Sequence, residues 1–545
     1  MQNYSQKMSS NLTRILGILF IGLIIVSCAN RGSPSGGEKD VDPPEILRES
    51  PPNFSTNFKG DEIRITFNEY VKIKDLRKQL IISPPMDSDP IIYPAGGASE
   101  YITIKIKDTL QPNTTYAFNF GESIVDNNEE NPYPYYRYVF STGEMIDSLS
   151  VKGYVEDALL KKPETFISVM LYEVDSTYSD SIVYKEKPRY ITNTLDSVTT
   201  FSIDNIKAGT YKLIALKDKN SNYTFDQKND KIGFYEDFIT VPTDAEHKLT
   251  LFKEKVNFKA ERPKQEGETR IMFPYEGSYE NMRIKVLGDT PEGYTTRITK
   301  DKVTDTLYYW YKPKFEIDTT FFVVTNEKYI DTFKHRFRSL DADTLSTKIV
   351  SPRGLNYDKH FTLEATTPIE KIDVSKISLI DKDSIAVSFE TEYDSILNQF
   401  KVPFKKEEGQ KYSIKILPGT FTDFYGNINK DTIVETINPK MKSEYGNIRV
   451  KLINAKFPLI VQMVNNKGEV EYERYTTESP VVDFTNVVPK LYDIRVIYDT
   501  NENGEYDTGN YLLGIQPERV SYMPSSQLEE VRASFDFIYE FTLLD

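Results

Sequence analysis

The chain has little of several things that chemistry would need. Among its 545 residues there is one cysteine and there are three histidines. One cysteine excludes a disulfide scaffold and every thiolate zinc cluster. His247, His335 and His360 are widely separated and share no motif, so a His-rich metal centre is excluded as well. The single thiol, Cys28, lies beside an amino-terminal apolar segment, which leaves a Cys-His nucleophile pair without support. There is no G-x-S-x-G elbow, no H-E-x-x-H, no phosphate-binding Gly-Lys-Ser/Thr loop and no dinucleotide fingerprint. Nothing among the 82 acidic residues singles out a catalytic pair. Lys and Arg number 67 against those 82, giving a formal charge of −15. No concentrated basic face is visible along the chain, so a nucleic-acid partner is not expected. Beyond residue 26 no apolar run approaches the roughly twenty residues that cross a bilayer.

What is present points to strands. Aromatics make up 13 % of the chain, with 37 Tyr and 31 Phe, a composition that favours β-structure. No segment shows a long 3.6-residue apolar period. Short alternating runs recur instead, separated by Asn, Asp, Gly and Pro, as in Glu62-Ile63-Arg64-Ile65-Thr66-Phe67, Tyr101 to Ile106 and Thr115 to Phe120. Such strands are expected to be half buried in two-sheet stacks. The expected fold class is all-β, a tandem of β-sandwich domains. At about 150 residues per domain the length suggests three to five units.

At the amino terminus, Lys7 and Arg14 precede an apolar run from Ile15 to Val26. The run is too short to span a bilayer and has the size and flanks of a secretory signal. It ends in Ile25-Val26-Ser27-Cys28, which resembles the lipobox of bacterial lipoproteins, with Ile where Leu is more usual. The resemblance implies a signal peptide over 1–27 and acyl chains, palmitate among them, on Cys28. The alternative is ordinary secretion with an incidental cysteine. Several acyl chains hold a protein in a membrane essentially permanently, at about 0.8 kcal/mol per buried methylene. Residues 28–42 then read as the lipidated Cys and a flexible tether. Ala29 follows the Cys, which by resemblance to lipoprotein sorting rules favours the outer membrane. The face exposed, periplasmic or cell-surface, stays open.

Five units are expected beyond the tether. Residues 43–143 carry Pro43-Pro44-Glu45-Ile46, Ile65 to Val71, Leu110 to Tyr116 and Tyr138 to Gly143, an order that resembles the bacterial Ig-like domain. Residues 149–259 contain Phe201 to Ala215, two alternating strands joined through a Gly turn. That phrase resembles the transthyretin-like module, also known as the carboxypeptidase regulatory-like domain. Residues 262–345 form a sandwich without a recognisable signature. Residues 350–439 echo the first unit: Phe421-Thr422-Asp423 to Asn427 parallels Ile124-Val125-Asp126-Asn127-Asn128, suggesting a diverged Ig-like domain. Residues 443–545 echo the second, with Phe484 to Val496 matching Phe201 to Ala215. A pair of domains thus occurs twice.

One pattern carries chemistry. The last unit contains Asp499-Thr500-Asn501-Glu502-Asn503-Gly504-Glu505-Tyr506-Asp507-Thr508-Gly509-Asn510. Asp499, Asn501, Asn503, Asp507 and Asn510 fall at the spacing of a calcium loop, with Gly504 at the sharp turn and Glu505 beside it. It departs from the full pattern in having Asn at the twelfth position and strands on both sides. The second unit's counterpart offers Asp218, Asn220, Asn222 and Asp226, with Tyr223 in place of the Gly. Both loops read either as weak calcium sites or as metal-free hairpins capped by Asx turns. Either role is structural.

The only Trp lies in Tyr308-Tyr309-Trp310-Tyr311. Four adjacent aromatics cannot all face one side of a strand. Tyr309, Trp310 and Tyr311 are therefore candidates for a ligand platform or a protein contact, or for packing between adjacent domains. As a whole the chain resembles outer-membrane lipoproteins of the Bacteroidota with Ig-like domains, through the lipobox, the first unit, and the tail from Gly509-Asn510-Tyr511-Leu512 to Val531-Arg532-Ala533-Ser534. The expected role is a non-catalytic, lipid-anchored scaffold, accessory to an outer-membrane β-barrel complex in protein assembly or secretion. The alternative is a surface adhesin or glycan-binding lipoprotein.

Overall fold

The computed structural model describes residues 40–194, 198–352 and 354–544. The expected signal segment, Cys28 and residues 29–39 of the tether lie outside them. The fold is all-β; among the described residues the one α-helix is Leu76–Gln79. The chain divides into two compact units, one of residues 40–80, 87–113 and 118–144, the other of 81–86, 114–117 and 145–544.

In the first unit, Glu62–Ile73 is the central strand because its side chains alternate: Ile63, Ile65, Phe67 and Val71 are buried while Glu62 and Arg64 face water. Its sheet has the order Ile46–Ser50, Glu62–Ile73, Ser99–Lys105, Ile91–Tyr93, with Ile124–Asp126 on the far end of Glu62–Ile73. The register sets Ile63 against Ile104 and Ile65 against Ile102, so apolar partners meet on one face. Phe118, Phe120, Tyr138 and Phe140 are buried, and Phe58 packs on Phe140 at 4.2 Å. After Ile124–Asp126 the chain turns on one carboxylate. Asp126, 1 % exposed, accepts the backbone N–H groups of Asn128, Glu129, Glu130 and Asn131 at 2.6 to 3.2 Å. Burial pushes its pKa up, and the four N–H donors outweigh that and hold it below the usual carboxylate range.

The second unit repeats this grammar. Thr347–Ile349, Phe361–Ala365, Gln399–Val402 and Glu392–Asp394 form a sheet in that order, and Ile369–Ile372 pairs with Phe421–Asp423. The facing sheet runs Gly354–Leu355, Ile433–Pro439, Tyr412–Ile416, Ile377–Asp381. The first of these sheets repeats the strand order of the first unit's sheet, with Phe361–Ala365 and Ile369–Ile372 together in the place of the single strand Glu62–Ile73. The turn device recurs too: Asp423, fully buried, accepts the N–H groups of Tyr425 at 3.0 Å and Asn427 at 2.7 Å.

A second repeat joins residues 149–251 and 446–542. In the former the sheets are Tyr190–Asn193, Ser168–Glu173, Gly209–Lys217, Lys231–Phe234, and Thr200–Ile206, Leu149–Asp157, Glu246–Leu251. In the latter they are Val470–Thr476, Leu459–Val464, Asp493–Tyr498, Val520–Tyr522, and Val481–Val487, Gly446–Ile453, Asp536–Thr542. In both, the last strand pairs parallel with the first while its other neighbours are antiparallel. Gly153 is where that parallel pair comes closest, since a Cβ there would lie 1.9 Å from the His247 carbonyl oxygen. Gly153→Ala is expected to force Leu149–Asp157 and Glu246–Leu251 apart and to cost about 1–3 kcal/mol. Urea denaturation measures it, and an unchanged midpoint would contradict this packing.

The half-buried expectation holds for Glu62–Ile73 but not throughout. Thr115–Asn119 is buried over most of its length, and Leu459–Val464 is buried at every position. Gly209–Lys217 is buried on both faces as well. Its second face is covered by the 3-10 turn Asp180–Tyr184 and by Tyr511 from the last sandwich. Alternation fails wherever a second layer removes the need for polar residues.

Between the repeats lies a sandwich of two sheets. One runs Lys259–Ala260, Arg270–Glu276, Thr306–Lys312, Thr295–Lys300, with Lys264–Gly267 also on Arg270–Glu276. The other is Arg283–Leu287, Thr319–Asn326, Tyr329–Arg336. The outward face of this second sheet gathers Arg283, Lys285, Lys334 and Arg336, all exposed. The sequence reading of no concentrated basic face is therefore corrected: cations spaced two apart on different strands converge only through their register.

Candidate functional site

The acidic loops of the two repeated sandwiches have one architecture. In the last sandwich, Asp499 ends the strand Asp493–Tyr498 and is 2 % exposed. Its carboxylate accepts the N–H groups of Asn503 at 3.2 Å and Gly504 at 2.7 Å. Gly504 has φ +77°, a conformation that L side chains rarely adopt, which is why glycine stands at this bend. Asn501 and Asn503 accept the N–H groups of Asn503 and Glu505 at 3.3 and 2.8 Å, so alternate side chains cap alternate peptides. The amides of Asn501 and Asn503 then converge on one Asp507 oxygen, at 2.6 and 2.7 Å. Lys255 of the second sandwich reaches the other Asp507 oxygen at 3.1 Å. Partial burial works against ionisation of Asp507; Asn501, Lys255 and Asn503 outweigh it and lower its pKa.

The second sandwich repeats the arrangement. Asp218 accepts from the N–H groups of Asn220 at 2.9 Å and Tyr223 at 2.7 Å, and Asn222 accepts from that of Thr224 at 3.0 Å. Tyr223, in the place of Gly504, takes the same positive φ, +60°. Asn229 donates to Asp226 at 2.6 Å, the main cause of that group's lowered pKa.

Two further acids lock these loops, and neither has its place in the calcium spacing. Asp230, fully buried, accepts the N–H groups of Lys219 and Asp226, both at 2.9 Å. Glu518, 8 % exposed, accepts those of Thr500 at 2.8 Å and Asp507 at 3.0 Å. The two acids thus bridge the same pair of loop positions from different distances along the chain. An acid that follows the loop was the only available signal, and the unequal spacing hid the correspondence. The amides converging on Asp507 suit a self-capped turn. Among the described residues, no three or more His, Cys, Asp or Glu side chains are grouped to hold a metal ion.

The loop of the last sandwich also docks on the second. Thr508 donates to the Lys253 carbonyl at 2.8 Å, and the Tyr511 N–H donates to the buried Glu254 carboxylate at 2.6 Å. Glu254 is held from the other side by Gln227 at 2.8 Å. The Tyr511 ring packs among Met170, Tyr172, Phe234 and Phe252, meeting Phe234 edge-on at 5.3 Å. Gly509 lets the chain pass, since a Cβ there would come within 2.6 Å of the Phe252 ring. Asn510 is drawn into this hairpin; its backbone pairs with Ile515 and its side chain accepts from the Leu513 N–H at 3.0 Å. Nearby, Arg495 of the last sandwich donates to the Leu159 carbonyl at 2.5 Å and to Gln462 at 2.7 Å. Lys161 pairs with Asp493 at 2.5 Å.

Tyr309, Trp310 and Tyr311 are all buried, between 1 and 3 % exposed. Tyr309 and Tyr311 join the interior cluster with Phe273 and Phe322, and the Tyr309 hydroxyl meets that of Tyr294 at 2.9 Å. Trp310 points to the other face, where its N–H donates to Thr299 at 2.8 Å and the Arg270 guanidinium lies 5.1 Å from its ring. Arg270 in turn pairs with Asp343 at 3.1 Å. Beside it Tyr425 of the following sandwich accepts from the Thr269 hydroxyl at 2.8 Å.

Solved structures of other proteins resemble the chain distantly. Surface layer protein SbsC, domains 1–6, is 11 % identical over 88 % of this chain, with a TM-score of 0.15. The chain spans 66 % of that protein's length. The Bacillus anthracis TIE protein is 12 % identical, over 93 % of this chain and 76 % of its own, with a TM-score of 0.13. The native E. coli alpha-2-macroglobulin is 10 % identical, over 85 % of this chain and 41 % of its own, with a TM-score of 0.12. At such TM-scores the likeness carries no functional implication. No curated protein matches the chain. Residues 40–142 match the family model of the bacterial Ig-like domain.

Proposed function

We propose that the chain is a non-catalytic, lipid-anchored scaffold of the outer membrane that serves as an accessory subunit of a β-barrel complex. The observation that carries the reading is the interlock of the second and last sandwiches. Their acidic loops, where a site would be sought, are consumed in capping their own backbone and in docking one repeat on the other. Repeated sandwiches joined in this way present rigid faces and sheet edges suited to strand addition or loop contacts. Anchoring through acylated Cys28 would confine those faces to the membrane plane and raise their effective concentration near a membrane partner. A carboxy-terminal tag and extraction in mild detergent test the proposal. A stoichiometric outer-membrane barrel that stays bound through moderate salt is the expected result; a protein recovered alone would overturn it.

Within this proposal the loops are metal-independent turns. Thermal melting in millimolar calcium is expected to match melting in chelator. A rise for the native chain that Asp507→Ala abolishes would instead place a calcium ion at the last loop. A second reading, glycan capture, has one feature in its favour. A cavity of about 330 Å³ is lined by Lys212, Phe238, Glu236, Asp237, Asp180 and Tyr511, mixing donors, acceptors and a half-exposed ring. Saturable retention on a glycan array, lost in Phe238→Ala, would favour it.

A further inference from the structure

We propose that the outward face of the sheet Arg283–Leu287, Thr319–Asn326, Tyr329–Arg336 is a docking surface for an anionic lipid bilayer, independent of the acyl anchor. The face is built by register. Leu287 lies opposite Phe321, which lies opposite Lys334; Lys285 lies opposite Val323, which lies opposite Thr332. Arg283 is opposite Thr325, which is opposite Ile330, and Thr319 is opposite Arg336. Cross-strand partners share a face, and so do residues two apart. One side of the sheet therefore carries Arg283, Lys285, Lys334 and Arg336 interleaved with Leu287, Phe321, Val323 and Ile330. The other side carries buried Phe322, Val324 and His335.

Three features separate this face from an ordinary solvated one. Its large apolar side chains are well exposed: Leu287 56 %, Phe321 42 % and Ile330 70 %. A sandwich that buries Phe322 and Val324 completely has left these three in water. No carboxylate lies on the face. Asp331 projects to the opposite side, where it accepts from the Tyr329 hydroxyl at 3.3 Å, and Asp318, Glu327 and Asp289 lie beyond the strand ends. None of the four cations forms an ion pair among the described residues; Arg283 reaches only the carbonyls of Glu280 and Met282. In a chain of formal charge −15, four uncompensated cations on one sheet face are a local reversal of sign.

A bilayer surface suits both halves of this pattern. Anionic headgroups attract Lys and Arg side chains held near the surface. Exposed Leu, Phe and Ile gain by entering the boundary between headgroups and acyl chains. A soluble polyanion would use the cations and leave the apolar residues in water.

The test uses the full chain with Cys28→Ser, so that acylation contributes nothing. It is sedimented with phosphatidylglycerol–phosphatidylethanolamine vesicles and with phosphatidylcholine vesicles at low salt. Binding is expected to the anionic vesicles alone and to weaken with added salt. Lys285→Glu with Lys334→Glu is expected to lower retention by at least about tenfold. Phe321→Ser with Ile330→Ser is expected to lower it several-fold. Matching near-ultraviolet spectra would show that these exposed positions leave the fold intact. A chain that stays in the supernatant with anionic vesicles overturns the proposal, as does binding that survives the double charge reversal. Tight binding to DNA or dextran sulfate, sensitive to the charge reversal and indifferent to Phe321→Ser with Ile330→Ser, would replace the bilayer by a soluble polyanion. Failure here leaves the barrel-complex reading untouched, because that reading is scored by co-purification of the acylated protein.

Discussion

Tyr511→Ala is expected to separate the last sandwich from the second. The ring is 3 % exposed and packs with Met170, Tyr172, Phe234 and Phe252 on the outer face of the second sandwich's sheet. Truncating a buried aromatic costs about 3–5 kcal/mol, because the lost transfer energy is joined by a cavity that the surroundings fill only in part. Here the cost falls on an interface, not on a single core. Of the remaining polar contacts, Lys255 to Asp507 is exposed enough to exchange with water at little loss, while Thr508 to Lys253 and Arg495 to Leu159 are part-buried and hold less apolar surface than the ring does. Glu254 would keep Gln227 but lose a well-oriented donor from the Tyr511 N–H as the hairpin loosens. Amide exchange measures the outcome. Protection should fall in Lys231–Phe234 and across residues 499–518, while the strands Gly446–Ile453 and Val481–Val487, on the far sheet, stay protected. Uniform protection in the variant would mean that Tyr511 is not what fastens the two repeats.

Much of this arrangement could be read along the chain, and its limits have physical causes. The alternation of Ile63, Ile65 and Phe67 announces a half-buried strand because one face of that sheet meets water. The echo of Ile124 to Asp126 in Phe421 to Asp423 marks a shared turn because a buried Asp that accepts several N–H groups tolerates few other residues. Glu518 escapes such reading because it closes its loop from a distance that differs from that of Asp230 in the other copy. Tyr511 escapes because its partners, Phe234 and Phe252, lie in another domain, and no local pattern encodes contacts of that range. The aromatic run 308–311 shows the same limit. The sequence leaves a ligand platform, a protein contact and packing between domains open for it, and Thr306–Lys312 sits between two strands with both of its faces covered. The basic face of the middle sandwich is the extreme case. Arg283, Lys285, Lys334 and Arg336 are ordinary strand residues in sequence, and only three-strand register makes them one patch.

His335 gives the middle sandwich a pH dependence whose sign can be worked out. It is 6 % exposed, between Phe322 at 5.8 Å and Phe337 at 5.2 Å, and one ring nitrogen has no hydrogen-bond partner. Burial, aided by the charge of Arg338, lowers its pKa to about 4. The unfolded chain binds the proton near pH 6.5 and the folded chain does not. Stability from this group is therefore complete above about pH 6.5, falls as the pH drops, and levels off below about 4. By pH 4.5 the loss amounts to about 2–3 kcal/mol. His247 and His360, whose pKa values are also lowered by burial, act in the same direction in their own sandwiches. Asp343, raised by burial, opposes His335, so the histidine must be isolated by comparison. Trp310, the only tryptophan, is 2 % exposed in the same sandwich, so its emission reports this domain alone. Urea titrations followed at Trp310 should show the native midpoint dropping between pH 7 and pH 4.5. In His335→Phe most of that drop should vanish, with stability at pH 7 little changed because a ring of similar size fills the same apolar slot. Equal losses in both chains would mean that carboxylates, and not this buried imidazole, govern the acid sensitivity of the sandwich that bears the basic face.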